Sequence, residues 1–294
     1  MRLVTVAPAL PANFYWNRTV PQAETSAPNA GFMARHYFLL RRLHSLSGIV
    51  PIGLFLINHL LTNSSAAWGI LASRESEHSG SWAMRGFEYF WKEVRWINTQ
   101  VPNLILIEVA LWGAIAFHSI LGFYYAATGS VNTDRYAYQG NWRYRLQRIS
   151  GYLGILFIFY HVATLRWGWT FLVPGGTQWS QDFAASTLAM VLRGGSSGIT
   201  FAGLAVSLAY FLGVTLLVFH FANGLWTAAI TWGITISANS QRRFGYACFG
   251  LGAAMMLMGW ISIFTFLVAD PAKVREVETR LGSPRAVAVQ AGDK

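Results

Sequence analysis

Apolar residues in this chain gather into five long stretches, near positions 45–62, 101–127, 149–165, 199–234 and 244–269, separated by polar or basic connectors. A hydrocarbon core of roughly 30 Å takes about 20 residues of helix to cross. Lipid offers backbone N–H and C=O groups no partner, so each stretch is predicted to be a membrane-spanning α-helix. The expected fold class is an all-α membrane protein of five transmembrane helices, the first four forming a bundle and the fifth packing beside it. The fourth stretch is the longest and is expected to tilt or to project past the headgroups.

The connectors are patterned too. Residues 64–100 contain SWAMRGFEYFWKEVRWI, in which Trp82, Phe87, Phe90, Trp91 and Val94 fall on one helical face, opposite Arg85, Glu88 and Lys92. That density of tryptophan suits the membrane–water boundary. Residues 167–198 open with RWGWTF and hold FAASTLAMVL, predicted to be a short interfacial helix. Both connectors are expected to cap the bundle; a roof over a lipophilic substrate site is the sharper reading. Residues 1–40 read as a cytoplasmic extension, 45–269 as the five-helix bundle and 270–294 as a charged tail on the outer side. No internal repeat or linker divides the sequence, so 1–294 reads as one integral-membrane domain.

Charge supports a membrane protein over a nucleic-acid binder. The chain is 54% hydrophobic and 12% charged, where a soluble domain has about 25% charged residues. Its net charge of +10 follows the connectors. Arg41, Arg42, Arg143, Arg145, Arg148, Arg242 and Arg243 flank helix ends on one side, and basic flanks of short loops face the cytoplasm. The expectation is a multi-pass protein of the cytoplasmic membrane with its N-terminus inside, in contact with lipid and not with nucleic acid.

An ionisable side chain inside a bilayer is costly and marks function. Four of the stretches hold one histidine each: His59, His118, His161 and His220. At about 1.5 Å per residue, His59 and His161 lie roughly 9 and 12 Å from the outer helix ends, and His118 and His220 roughly 24 and 33 Å. Two imidazoles at equal depth on facing helices can clamp one iron from both sides, which leaves no open position and suits electron transfer. The pattern predicts two bis-histidine haems, the outer held by His59 and His161, the inner by His118 and His220. With one cysteine, Cys248, and no C-x-x-C-H motif, such haems are b-type and non-covalent. Gly122 and Gly224 each follow a histidine by four positions on the same face and read as room for the macrocycle; Gly154 and Gly213, seven positions before a histidine, read likewise. Close helix contact is the plainer account of the glycines, and a proton path that of the histidines.

His44, Ser45, Arg41 and Arg42 at the inner end of the first span, with Gln147, Arg148 and Ser150 on the third, read as partners for haem propionates or anionic headgroups, since arginine pairs bidentately with carboxylates. Ordinary positive-inside anchoring is the alternative. Glu108 is the one carboxylate well inside a span, and a proton or quinone role stands level with a plain hydrogen bond to a neighbour.

These residues resemble a known family: the single-chain, five-helix, di-haem cytochrome b558 membrane-anchor subunits of succinate:menaquinone oxidoreductases, with their fumarate reductase relatives. The matching runs are RRLHSLSGIVPIGLFLINHL, AFHSILGFYYA, NWRYRLQRISG followed by FYHVATLRW, FHFANGLWTAAITWGIT, and SQRRFGY. The resemblance implies that His59 and His161 hold a distal haem b, and His118 and His220 a proximal one. It implies a flavoprotein (FAD) subunit and an iron–sulfur subunit as cytoplasmic partners, with electrons passing through both haems to a quinone, menaquinone, near the outer face. Dicarboxylate chemistry is then expected on the partners. Asn63, Glu88, Glu93 and Glu108 are candidate quinone-site groups. An anchor for a hydrogenase or formate dehydrogenase, or a haem-free transporter-like bundle, are the alternatives. Some of those relatives carry a glutamate two positions before the fourth-span histidine; here that position is Val218, which cannot take up a proton.

Overall fold

The computed structural model describes residues 31–72, 82–128 and 139–282. The chain divides into two compact units, Met1–Leu40 and Arg41–Lys294. In the first, the described residues form α1 (Phe32–Arg35) and open α2 (Tyr37–Ser47), and the Phe32 and His36 rings meet at 4.6 Å. The second continues α2 into a six-residue π-turn, Gly48–Gly53, and then α3 (Leu54–Ala72). Further on come α4 (Trp82–Gln100), α5 (Leu104–Thr128), α6 (Gln139–Leu165), α7 (Ala184–Arg193), α8 (Phe201–Thr231), α9 (Ala238–Val268) and α10 (Pro271–Leu281). No strand occurs among the described residues.

Among the described residues, five helical spans are long and apolar enough to cross a membrane: Tyr37–Gly69, Leu104–Thr128, Trp142–Leu165, Phe201–Thr231 and Ala238–Val268. This is the all-helical, five-span membrane protein expected. Successive spans run antiparallel between two ends. One is an arginine-rich end, where Trp232 after α8 donates to Ser45 Oγ at 2.9 Å and Arg143 lies 4.1 Å over the Trp226 ring. The other is a capped end. The π-turn falls at Pro51, whose missing N–H removes one i→i−4 bond and whose ring crowds the preceding turn. Gly53 leaves the space that Phe221 of α8 fills.

The cap is more substantial than the connectors foretold. α4, α7 and α10 pack on the ends of α3, α8 and α9 around Ala66, Phe87, Phe90, Leu188, Val206, Phe266 and Val274. Phe266 is fully buried there, and a side chain of that size contributes about 1.5–3 kcal/mol on burial. α7, expected at the interface, is buried on nearly every face, because its small residues Ala184, Ala185, Ser186 and Ala189 let neighbours close round it. Glu88 is not on a solvated face of α4: it is 7% exposed, since α3, α7 and α10 surround that helix. The segment expected as a charged tail holds α10, N-capped by Asp270 accepting from Ala272 N at 3.0 Å. Its Glu278, 1% exposed, accepts from Ala185 N at 2.7 Å and Ser186 N at 3.3 Å, at the start of α7, where a helix favours negative charge. The extension before residue 31, residues 73–81 and 129–138 of the connectors, and the chain after Gly282 lie outside the described residues.

Candidate functional site

Two pairs of histidine rings face each other inside the bundle. His59 on α3 and His161 on α6 have ring centres 5.7 Å apart and planes at 84°. His118 on α5 and His220 on α8 stand 6.0 Å apart at 81°. The helix ends alone would not have set these levels. α3 runs on to Ala72, well past the end of its apolar stretch near residue 62, so packing and not distance from a terminus brings His59 beside His161.

The pair at the arginine-rich end sits in polar backbone seats. His118 Nδ1 lies 2.9 Å from the carbonyl of His44 and 3.5 Å from Ser47 Oγ. His220 Nδ1 lies 3.0 Å from the carbonyl of Gln147 and 3.3 Å from Ser150 Oγ. A carbonyl only accepts, so each Nδ1 carries the proton and Nε2 keeps its lone pair. A glycine completes each seat: a Cβ on Gly48 would come 2.6 Å from His118 Cε1, and one on Gly151 3.0 Å from His220 Cε1. Gln147 is itself held, donating to the His220 carbonyl at 3.0 Å and accepting from Asn223 at 2.8 Å. Arg143 Nε donates in turn to Asn223 Oδ1 at 3.1 Å.

The pair at the capped end is walled by aromatic rings. Phe55 stacks on His59 at 5.4 Å, Phe157 on His161 at 6.0 Å, and Tyr210 meets His161 edge-on at 5.8 Å. Asn63 Nδ2 lies 3.4 Å from His59 Nε2 and donates to the His59 carbonyl at 2.8 Å. His161 Nδ1 is buried with no hydrogen-bond partner.

Other predicted residues take up different places. The His44 ring stacks on His118 at 4.1 Å. Ser45 lies away from the rings, donating to the Arg42 carbonyl at 2.9 Å. Arg148 lies over the Tyr144 ring. Beside Gly122 stands His44 Nε2, and beside Gly224 stands Gln147 Nε2, each 3.4 Å from where a Cβ would be. Gly154 and Gly213 are filled by Leu217 and Phe157, which is helix contact. Val218 is fully buried in an apolar cluster with Leu60 and Met255. The four quinone candidates each have their own setting. Asn63 borders His59, Glu88 is buried on α4, and Glu93 hydrogen-bonds Tyr89 of the same helix. Glu108 accepts two bonds from Arg166, at 3.1 and 2.8 Å. Next to Arg166, Trp112 stacks on Trp167 at 5.6 Å, and an open cavity of about 210 Å³ is lined by Arg166, Trp167, Gln178 and Trp179. Ser47, Gly48, Gly151, Phe55 and Phe157 escaped the sequence reading; their signal is a Ser-Gly pair on each of two spans and a phenylalanine four positions before each of two histidines.

The geometry fits iron held between imidazoles. Metal–nitrogen bonds of about 2.0–2.1 Å on both sides, plus roughly 1.2 Å from each nitrogen to its ring centre, put the centres about 6.4 Å apart. The observed 6.0 and 5.7 Å fall a little short of that, within reach of small ring shifts. α5 has only Ile115 and Leu121 buried, so the helix bearing His118 offers long apolar flanks of the kind a flat hydrophobic group packs on.

An all-helical, five-span membrane bundle with two facing histidine pairs is the class that fold and site define. No family model matches the chain, and no solved structure matches it. It is 31% identical over 231 residues to the succinate dehydrogenase cytochrome b558 subunit of Bacillus subtilis (strain 168), covering 78% of this chain and 97% of that protein. The chain belongs to the succinate dehydrogenase cytochrome b558 family.

Proposed function

We propose that this chain is the membrane anchor and electron-transfer subunit of a succinate dehydrogenase, holding one haem b between His59 and His161 and a second between His118 and His220. The observation that carries the reading is the pair of near-perpendicular ring contacts at 5.7 and 6.0 Å, in a chain similar to a cytochrome b558 subunit. A haem clamped by two imidazoles has no free position for oxygen and supplies one-electron transfer. The chain's own residues do the rest. The carbonyls of His44 and Gln147 fix the tautomers of His118 and His220 and raise the basicity of their free nitrogens. The aromatic walls at the capped end exclude water from His59 and His161. The arginine flanks support reading the arginine-rich end as the cytoplasmic one, where an iron–sulfur subunit bearing a flavoprotein would deliver electrons. Quinone, menaquinone in this reading, is reduced at the capped end, where Asn63 borders His59 and Glu108 is paired with Arg166.

The test is a reduced-minus-oxidised spectrum of the purified complex with a haem-to-chain ratio. Two low-spin b-type centres per chain are expected, with a flavoprotein and an iron–sulfur protein co-purifying. A complex without a b-type α-band rejects the haem reading; co-purification with a hydrogenase or formate dehydrogenase rejects the succinate assignment.

A further inference from the structure

The two histidine pairs are joined by a repeat that the sequence hides. Leu43, His44, Ser47 and Gly48 have the spacing of Leu146, Gln147, Ser150 and Gly151. Phe55, His59 and Thr62 have the spacing of Phe157, His161 and Thr164, and Phe117, His118 and Gly122 that of Phe219, His220 and Gly224. The contacts repeat with the letters. In each copy the carbonyl of position 44 or 147 and the hydroxyl of the serine three residues on take the Nδ1 edge of a histidine from the next span. In each copy the phenylalanine stacks on the histidine four residues later. The side chain at 44 or 147 lies 3.4 Å from a Cβ placed on the facing glycine, Gly122 or Gly224.

The spacings differ by one residue at one place. His118 follows His59 by 59 positions, and His220 follows His161 by the same 59. From the carbonyl seat to its histidine, however, the separation is 74 in the first copy and 73 in the second. The extra residue lies between Gly48 and Phe55, where the π-turn is. A π-turn closes its bonds i→i+5 and not i→i+4, so it absorbs one more residue than an α-turn.

We propose that α2–α3 with α5, and α6 with α8, are two copies of one two-histidine unit, and that the Gly48–Gly53 π-turn takes up the single surplus residue so that His59 meets His161 while Gly48 still seats His118. Pro51 is then a register residue. Without the turn, the residue would rotate His59 by about 100° and shift it by about 1.5 Å relative to the seat. This rests on the haem reading above for its readout, and its test separates the two.

The experiment compares the assembled complex carrying the unaltered chain with two single-residue deletions, reading the haem-to-chain ratio and the low-temperature EPR signals of each low-spin centre. Deleting Pro51 removes both the surplus residue and the reason for the turn, leaving a regular helix in the register of α6. It is expected to keep both centres with unchanged signals. Deleting Ile155 takes a residue from α6, which has none to spare, and is expected to remove the His59–His161 centre or the assembled subunit. Loss of that centre, or of the assembled complex, on deleting Pro51 overturns the proposal, as does retention of both centres on deleting Ile155. Absence of b-type signals from the unaltered chain is the separate failure of the haem reading.

Discussion

The two histidine pairs have nearly the same ring geometry, 6.0 Å at 81° and 5.7 Å at 84°, and reach it by different means. At the arginine-rich end each ring is pinned by hydrogen bonds along its Nδ1 edge, with a glycine close against it that at Gly48 leaves no room for a side chain. At the capped end the rings are wedged by Phe55, Phe157 and Tyr210, and His161 Nδ1 has no partner. Hydrogen bonds fix tautomer and rotation together, whereas stacking restrains rotation alone, and at the capped end only His59 has a side-chain donor, Asn63, at a ring nitrogen. The polar seat is therefore expected to be more sensitive to an added methyl group than the aromatic wall, at Gly48 above all.

The largest expected effect breaks the pairing itself. Replacing His118 or His220 with alanine should remove one b-type centre and leave the other at full occupancy; replacing His59 or His161 should do the reverse. Difference spectra of the four complexes check this. A variant at His59 that removed the centre lost on replacing His118 would refute both assignments at once.

The next effect tests the seats. Gly48→Val and Gly151→Val should weaken only the arginine-end centre, by about 10–100-fold in haem affinity, the range for loss of a supporting contact around a metal ligand. With alanine the order should be Gly48 worse than Gly151, because the added Cβ stands 2.6 Å from one ring and 3.0 Å from the other. Haem titration of the apo-complex measures it, and equal loss from the capped-end centre would contradict the independence of the two regions. At that end, Phe157→Leu removes one stacked ring, worth about 0.5–1.5 kcal/mol, or roughly tenfold at most. It should broaden the EPR signal of the capped-end centre and leave the other unmoved.

Hydrophobic pattern announced the five spans, and an ionisable residue in each of four of them announced the site, because both signals follow from what lipid excludes. The pairing was legible only roughly, since the first apolar stretch stops near residue 62 whereas α3 continues to Ala72 in the cap. The repeat was invisible for a related reason: its shared residues are few and scattered over 180 positions or so, and the surplus residue at Pro51 breaks the alignment between them. Gly154 and Gly213 look like Gly48 and Gly151 in sequence, on the same face as a histidine, yet they admit Leu217 and Phe157. Only the partner helix decides whether such a gap serves a histidine ring or a packing side chain. α10 lacked a hydrophobic signal strong enough to stand out from a charged tail, because its buried face consists of only Pro271, Val274, Val277, Leu281 and a carboxylate, Glu278.

That carboxylate gives the smallest and most selective prediction. Burial pushes the Glu278 carboxyl up, against the Ser186 and Ala185 hydrogen bonds that pull it down. A raised folded-state value means the folded cap holds the proton more tightly than the unfolded chain does, whose glutamate titrates near about 4.3. The stabilising contribution is then complete below the unfolded value and is lost as pH rises through the folded one. Hydrogen exchange of α7 and α10 in detergent should accelerate across that interval and should be flatter in Glu278→Gln, which keeps an acceptor for the Ala185 and Ser186 amides without the charge. Because the cap packs on Ala66, Val206 and Tyr210, and Tyr210 touches His161, any spectral change accompanying the loosening should fall on the capped-end centre alone. A pH-dependent shift of the arginine-end signal, surviving in Glu278→Gln, would show that the seats are titrating on their own account and that the cap is not its cause.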